Sequence, residues 1–232
     1  MSMSFPRVLL RCRCFFGTLV VMFVAMASSS AQTTERSPKP VLSESVEMDL
    51  YRSRIWEWGL ESAYTFQVVP NPFHSIYDGR IRERNPRDYS FFTNMVSLRY
   101  RLTKACGPWL LRGSLQASAT ALTTLVLSGP ESYYAGFSVG LRYDFVQPGA
   151  RLVPYIEMRG GPGVTDSRGL FESQQQDFTF NYLFSAGLRY DISPQRSITV
   201  GAFDQHLSNA YLADQNYGVD SLGITLGVLS RF

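Results

Sequence analysis

Two residues near the C-terminal end of the sequence, His206 and Ser208, have the types and the spacing that a hydrolytic site needs. On a β-strand, residues two positions apart point to the same side and lie roughly 6–7 Å apart. An imidazole at that range can take the proton of the serine hydroxyl, which is a weak nucleophile without a neighbouring base. Asp220 is predicted to begin the next, hairpin-connected strand, where its carboxylate can hold the second imidazole nitrogen. The spacing therefore predicts a Ser–His–Asp triad.

Two asparagines near this triad offer amide donors for the oxyanion that forms when a serine attacks an ester. Asn209 follows Ser208 directly, and Asn216 lies in the connection that leads to Asp220. The alternative interpretation is structural: His206, Ser208 and Asn209 would simply end a strand and begin a loop. Both interpretations place the segment at the end of a strand.

The elements that must position these residues are strands, because apolar and polar residues alternate along most of the chain. From Trp56 to Val68 the even positions are mainly apolar and the odd positions mainly small or polar, which is the period of a strand with one apolar face. Similar alternation predicts eight strands: Trp56–Val68, Phe92–Leu102, Trp109 to about Thr124, Tyr133–Phe145, Leu152–Gly160, Asp177–Tyr190, Ile198–Ser208 and Ser221–Phe232. The segment Gly160–Gly163, at the end of the fifth predicted strand, is interpreted as a turn.

The length of these strands favours a membrane barrel over a soluble sandwich. A tilted strand crosses a bilayer with about 9–11 residues, whereas strands of soluble proteins average about five or six. Arg and Glu on the polar faces suit the interior of a small barrel, which side chains fill. Aromatic residues near the predicted strand ends suit an interfacial girdle: Trp56, Trp58, Trp109, Tyr133, Tyr134 and Tyr190. The predicted fold is all-β, an eight-stranded antiparallel outer-membrane β-barrel.

The amino terminus has the organisation of a cleavable signal peptide. Three arginines precede an apolar run, Phe15–Ala27, and small residues ending at Ala31 supply a cleavage site. The run is shorter than the roughly 20 residues of a membrane-spanning helix. The predicted organisation is a signal peptide at residues 1–31, a periplasmic lead-in segment at 32–54 and a transmembrane barrel at 55–232, exported to the bacterial outer membrane.

Charge and cysteine content narrow the classes of partner. The 22 basic residues include three in the predicted signal peptide, and the remainder balance the 19 acidic residues, so charge does not favour a nucleic-acid partner. Cys106 is the only cysteine outside the predicted signal peptide, which excludes a disulfide within one mature chain. No Cys/His cluster has zinc spacing, and no metal or other cofactor is predicted.

The lengths of the connections predict the orientation of the barrel. With both termini in the periplasm, the first, third, fifth and seventh connections are external. The first, about Val69–Asp88, and the fifth, about Pro162–Gln176, are long, whereas the second, Thr103–Pro108, and the sixth, Asp191–Gln195, are short. Short periplasmic turns and longer external loops are typical of such barrels. The seventh connection, Asn209–Val219, is then expected at the outer leaflet.

Strand parity predicts which wall of the barrel carries the triad. His206 and Ser208 share their parity with the apolar Ile198 and Val200, and Asp220 shares its parity with the apolar positions of the last strand. Apolar positions mark the lipid-facing exterior of a barrel. The three polar side chains are therefore expected on the exterior wall, where a reactive serine makes sense if its substrate is a membrane lipid.

The segment His206–Ala210, with Asn216, Gly218 and Asp220 downstream, resembles the active-site signature of the lipid A 3-O-deacylase (PagL-type) family. The resemblance is strongest from His206 to the C-terminus and weaker at Gln176–Asn181; the first half of the chain agrees only in architecture. That family consists of eight-stranded outer-membrane barrels that remove the 3-linked hydroxyacyl chain of lipid A with a Ser–His–Glu triad.

The resemblance implies a role for each residue of the predicted site. His206 would be the general base, Ser208 the nucleophile and Asn216 the first candidate for the oxyanion donor, with Asn209 supporting it. Asp220 stands where reference members of the family have glutamate. Its carboxylate is one methylene shorter and must lie closer to the imidazole, which is expected to affect the rate more than the chemistry.

The expected function is that of a serine esterase embedded in the outer membrane, acting on lipid A of lipopolysaccharide in the outer leaflet. Two alternatives stay open. One is a small non-catalytic barrel with a structural or adhesive role, and the other is an esterase or phospholipase that acts on other membrane lipids. The sequence does not indicate an oligomeric state.

Overall fold

The computed structural model describes residues 55–67, 88–170, 173–213, 216 and 218–232. Within these ranges the chain forms eight antiparallel strands that close into a barrel in sequence order, β8 pairing with β1. The prediction of an all-β, eight-stranded antiparallel barrel is confirmed. The strands are β1 (Trp56–Gln67), β2 (Ser90–Arg101), β3 (Ser114–Ser128), β4 (Tyr133–Asp144), β5 (Leu152–Thr165), β6 (Phe178–Asp191), β7 (Arg196–Ser208) and β8 (Val219–Arg231).

Some predictions fall outside the described residues. These are the signal peptide at 1–31, the lead-in segment at 32–54 and nearly all of the first connection, and they stay predictions. Elsewhere in the chain the structure contains no helix with the length and apolar character to span a membrane.

Period-two alternation decides which side chains face inward. On β4, Phe137 and Val139 are exposed on the outer wall, whereas Ser138 and Arg142 are completely buried. Successive side chains of a strand point to opposite faces, so a closed sheet separates the two sets into an apolar exterior and a polar interior. The exposed apolar wall is typical of a barrel whose solvent on that side is lipid.

Strand β3 begins at Ser114, so the predicted start at Trp109 is wrong. Trp109–Leu111 form one turn of 3-10 helix, and Trp109 has a φ of 39°. A strand cannot include a residue in that region of backbone conformation. Backbone hydrogen bonds between Cys106 and Gly113 close the connection. The connection between β2 and β3 therefore runs from 102 to 113 and is longer than predicted. The connections at the two ends of the barrel consequently differ less in length than predicted.

The segment Gly160–Gly163 lies inside β5, so the predicted turn there is wrong. This part of β5 pairs with both β4 and β6. A Cβ on Gly161 would overlap the carbonyl oxygen of Phe137, and one on Gly163 would overlap the hydroxyl of Tyr134. Glycine is needed here because neighbouring strands and an inward aromatic ring approach closely, not because the chain reverses.

The half of the barrel nearer the terminal end, where β1 begins and β8 ends, is filled by paired charges. Arg99 donates to Glu61 at 2.7 Å and to Glu157 at 3.1 Å, with all three side chains at most 2% exposed. Buried charges are tolerated only when they are paired and hydrogen-bonded. The charged layer comprises Glu57, Glu61, Arg99, Arg101, Arg142, Asp144, Glu157, Arg159, Arg189, Asp191 and Arg231.

The opposite half contains an apolar cluster together with buried, hydrogen-bonded polar side chains such as Asn181 and Gln205. This loop end carries the β3–β4, β5–β6 and β7–β8 connections, at 129–132, 166–177 and 209–218. Its buried cluster comprises Ala63, Tyr89, Phe91, Met95, Leu122, Tyr134, Leu183, Phe203, Leu207 and Val219. Packing of the interior makes the wall of the barrel rigid, and the candidate site lies on the outer face of this wall.

Candidate active site

The pairing of β7 with β8 places His206 directly opposite Asp220. Nδ1 of His206 lies 2.6 Å from Oδ1 of Asp220. An ionised carboxylate oxygen only accepts hydrogen bonds, so Nδ1 of His206 is the donor in this contact and Asp220 fixes the orientation of the imidazole ring. The short aspartate reaches the ring because the two residues are cross-strand partners.

Ser208 ends β7, two residues beyond His206 and on the same parity. Its cross-strand partner on β6 is Phe180, and the partner of His206 there is Tyr182. The backbone carbonyl of Ser208 accepts a hydrogen bond of 2.6 Å from the hydroxyl of Thr179. The backbone of Ser208 is therefore held at the rim of the barrel, two residues from His206 along the strand.

The three residues lie on the exterior parity of their strands, as predicted. Ile198 and Val200, on the same side of β7, are 44% and 46% exposed. His206 and Ser208, by contrast, are only 4% and 5% exposed. The site thus faces outward at the loop end, yet its side chains are buried. Burial of this kind shelters a nucleophile from water.

The arrangement can perform general-base chemistry. Asp220 holds Nδ1 of His206, and Ser208 lies on the same face of β7, with about 6–7 Å between the two Cα atoms as strand geometry sets. An imidazole oriented in this way can take a proton from a hydroxyl and return it to a leaving group.

Asn209 and Asn216 are both at the site, and hydrogen bonds fix the orientation of their amides. The backbone N–H of Asn209 donates to Oδ1 of Asn216 at 3.2 Å. Since a backbone N–H can only donate, Nδ2 of Asn216 is the end of that amide which stays available as a donor. The Nδ2 of Asn209 instead donates to the carbonyl of Gln174 at 2.9 Å, and its Oδ1 accepts from the N–H of Tyr211 at 2.8 Å.

The sequence profile of the lipid A 3-O-deacylase (PagL) family matches residues 93–228. This range begins within β2, ends within β8 and includes all five predicted site residues. The chain belongs to the lipid A 3-O-deacylase (PagL) family. The prediction from the resemblance is confirmed at this level, and with it the placement of the chain among outer-membrane enzymes that are hydrolases.

Solved structures of other small barrels are similar to this member of the PagL family. The outer-membrane enzyme PagL is 19% identical with a TM-score of 0.49, covering 74% of this chain and 97% of its own. Neisserial surface protein A (NspA) is 13% identical with a TM-score of 0.49, covering 76% and 97%. OprG from Pseudomonas aeruginosa is 10% identical with a TM-score of 0.40, covering 78% and 98%. No curated protein sequence matches the chain.

Sequence reasoning missed two buried residues beside the site of this PagL-family chain. Gln174, in the β5–β6 connection, binds Asn209 and is 3% exposed. Asp204 lies on β7 two residues before His206, on the exterior parity, and is 6% exposed. Asp204 had a signal in the sequence, since an acid at an outward-facing strand position is unusual. Gln174 had none, because its role arises from a contact between two loops.

One carboxylate in the β5–β6 connection has a shifted pKa. Partial burial of Asp166 opposes its ionisation, but the N–H groups of Ser132 and Tyr133 donate to it and lower its pKa below the usual value. The ionised side chain therefore joins the β5–β6 connection to the β3–β4 turn at neutral pH. Among the residues whose positions are described, no group of three or more His, Cys, Asp or Glu side chains is arranged to bind a metal ion.

Proposed function

We propose that this protein is a serine esterase that hydrolyses the 3-linked acyl ester of lipid A in the outer leaflet of the outer membrane. The observation that carries the proposal is the 2.6 Å contact between His206 and Asp220 on the exterior wall, beside Ser208. Family membership supports the substrate, and the exterior position of the site supports a lipid reached from within the membrane.

In the proposed first step, Oγ of Ser208 attacks the carbonyl carbon of the acyl ester while Nε2 of His206 takes the hydroxyl proton. Asp220 stabilises the imidazolium that forms. Nδ2 of Asn216 donates to the oxyanion. The tetrahedral intermediate collapses when the C–O bond to the sugar breaks, and His206 returns the proton to that sugar oxygen.

In the second step, water attacks the acyl-serine ester while His206 again takes a proton. The intermediate collapses to release the free hydroxy fatty acid, and the proton returns to Oγ of Ser208. The lipid A product carries a free 3-hydroxyl group. Every proton moves between the substrate, water and the Ser208–His206 pair, so the sequence of steps requires no cofactor.

Mass spectrometry of lipid A from cells that express the protein tests the proposal. The wild type should remove one hydroxyacyl chain, and Ser208→Ala should abolish the change, because a serine nucleophile is essential to acyl transfer. Ser230→Ala is the matched control: this serine has the same outward parity, lies at the other end of β8, and should leave the activity unchanged.

Two results would contradict the proposal. Unchanged lipid A, with the folded protein present in the outer membrane, would indicate a non-catalytic barrel. Loss of acyl chains from phospholipids with lipid A intact would indicate an esterase for other membrane lipids.

A further inference from the structure

The peptide group that follows the candidate nucleophile is held from both sides by β6 and the connection before it. Its carbonyl, from Ser208, accepts from Oγ1 of Thr179 at 2.6 Å. Its N–H, from Asn209, donates to Oε1 of Gln174 at 3.1 Å. A peptide group bonded at both ends cannot rotate without breaking one of these hydrogen bonds, so the backbone that carries Ser208 is fixed.

Gln174 binds Asn209 twice. Besides the contact of its side chain with the backbone N–H, its own carbonyl accepts from Nδ2 of Asn209 at 2.9 Å. Gln174 is 3% exposed and Asn209 is completely buried, so water does not compete for these bonds. The same N–H of Asn209 also donates to Oδ1 of Asn216 at 3.2 Å, which links Gln174 to the proposed oxyanion donor.

A second line of hydrogen bonds holds Gln174 itself. Its N–H donates to Oγ of Ser167 at 2.8 Å, and Ser167 donates to Glu131 at 3.0 Å. Glu131 also accepts from the hydroxyl of Tyr89 at 2.8 Å, and all of these side chains are buried. The β5–β6 connection is thereby bound to the β3–β4 turn and to the start of β2.

The backbone on both sides of this contact adopts a conformation that non-glycine residues rarely take. Gln175 has a φ of 58°, and Ala210 and Tyr211 have φ values of 52° and 61°. Such residues cost about 1–3 kcal/mol each and persist only where surrounding contacts hold them. Their position next to Gln174 and Asn209 indicates that this contact is maintained against local strain.

We propose that Gln174 is a positioning residue for acyl transfer: it fixes Asn209, and through Asn209 it sets the positions of Ser208 and Asn216 relative to the ester. This inference rests on the proposed esterase function. Gln174 acts through its neighbours and does not touch the reacting atoms. Its loss should therefore lower kcat and leave KM nearly unchanged, because substrate contacts stay and only the geometry of attack suffers.

The test compares Gln174→Met with Gln174→Glu in the full-length protein, folded in detergent micelles with purified lipid A. Methionine has a similar length but no strong acceptor, whereas glutamate keeps an acceptor for the N–H of Asn209. The Met variant should lose about 10- to 100-fold in kcat. The Glu variant should lose less, because its side-chain oxygen still accepts from the N–H of Asn209, although burial of its charge opposes full activity. Gln176→Ala is the control, since the side chain of Gln176 donates to the carbonyl of Phe178, two residues further along the chain.

The two proposals fail in different ways. An inactive wild type would overturn the esterase function and with it the role of Gln174. An active wild type, together with a folded Met variant that keeps the wild-type kcat, would overturn the role of Gln174 alone. Where the Met variant does not give the folded band on an unheated gel, Thr179→Val removes the other hydrogen bond to the same peptide group, and an unchanged kcat in that variant would also overturn it.

Discussion

At the scale of single residues, the structure shows how an aspartate at position 220, where the resemblance implies a glutamate, contacts the imidazole of His206. Direct cross-strand pairing with His206 lets the shorter side chain reach Nδ1 at 2.6 Å. Directly opposed residues have Cβ atoms about 4.5–5.5 Å apart, which is within reach of a short carboxylate. The backbone register therefore lets an aspartate reach the imidazole without a longer side chain.

Replacement of Asp220 tests this assignment. Asp220→Ala should lower kcat for lipid A deacylation about 10³-fold or more. The carboxylate both fixes the tautomer of the imidazole and stabilises the positive charge that the ring acquires during the reaction. Asp220→Glu should retain activity. The measurement is kcat and KM in micelles on protein shown to be folded. Full activity of the Ala variant would mean that Asp220 is not part of the site.

At the scale of elements, β7 carries the candidate base and nucleophile while its two neighbours orient them. β8 supplies Asp220, and β6 with its preceding connection supplies Thr179 and Gln174. The register of these strands depends in turn on close packing at β4–β5–β6. There Asn181 donates to Tyr134 at 2.7 Å and to the carbonyl of Gly161 at 3.0 Å.

Two adjacent glycines of β5 should respond very differently to the same substitution. Gly161→Ala should destabilise the barrel by about 1–3 kcal/mol, because its Cβ would overlap the backbone of β4. In Gly160→Ala the added Cβ meets its nearest atoms at 3.3 Å, on the outer wall, and a smaller loss is expected. Urea titration with the folded band on unheated gels as readout measures both. Equal losses would show that close packing does not explain the glycine at position 161.

At the scale of the whole molecule, the charged layer closes the terminal half of the barrel and stabilises it only as long as its pairs stay complete. Arg99 contacts both Glu61 and Glu157, and Arg159 also reaches Glu61 at 3.3 Å. Removing one partner from a buried network leaves an uncompensated buried charge. The interior therefore acts as a rigid support for the exterior site.

An interior and a surface arginine provide a matched comparison. Arg99→Ala should lower the free energy of unfolding by about 3–5 kcal/mol, since it leaves Glu61 and Glu157 incompletely paired. Arg168→Ala breaks an ion pair with Asp177 in which the arginine side chain is 78% exposed, and should cost about 0–1 kcal/mol. Urea unfolding followed by tryptophan fluorescence gives both values. Similar values would mean that the buried pairs do not hold the barrel together.

The sequence alone determined the fold class and the wall of the barrel that carries the site. Period-two alternation is a local property, so it predicted eight strands and the exterior parity of His206, Ser208 and Asp220 without knowledge of their partners. It failed at Trp109 and at Gly160–Gly163. At Trp109 the deciding feature is a positive φ, and at Gly160–Gly163 it is the close approach between strands. The alternation of apolar and polar residues indicates neither feature.

Only the tertiary structure decided which residues of distant segments meet. The register of β7 against β8 joins His206 to Asp220, although a shift of one residue would point one of them inward. The contact of Gln174 with Asn209 joins two connections that are far apart in the sequence, and no period or motif encodes it. Local patterning fixes which face a side chain takes, whereas its partner depends on the closure of the whole barrel.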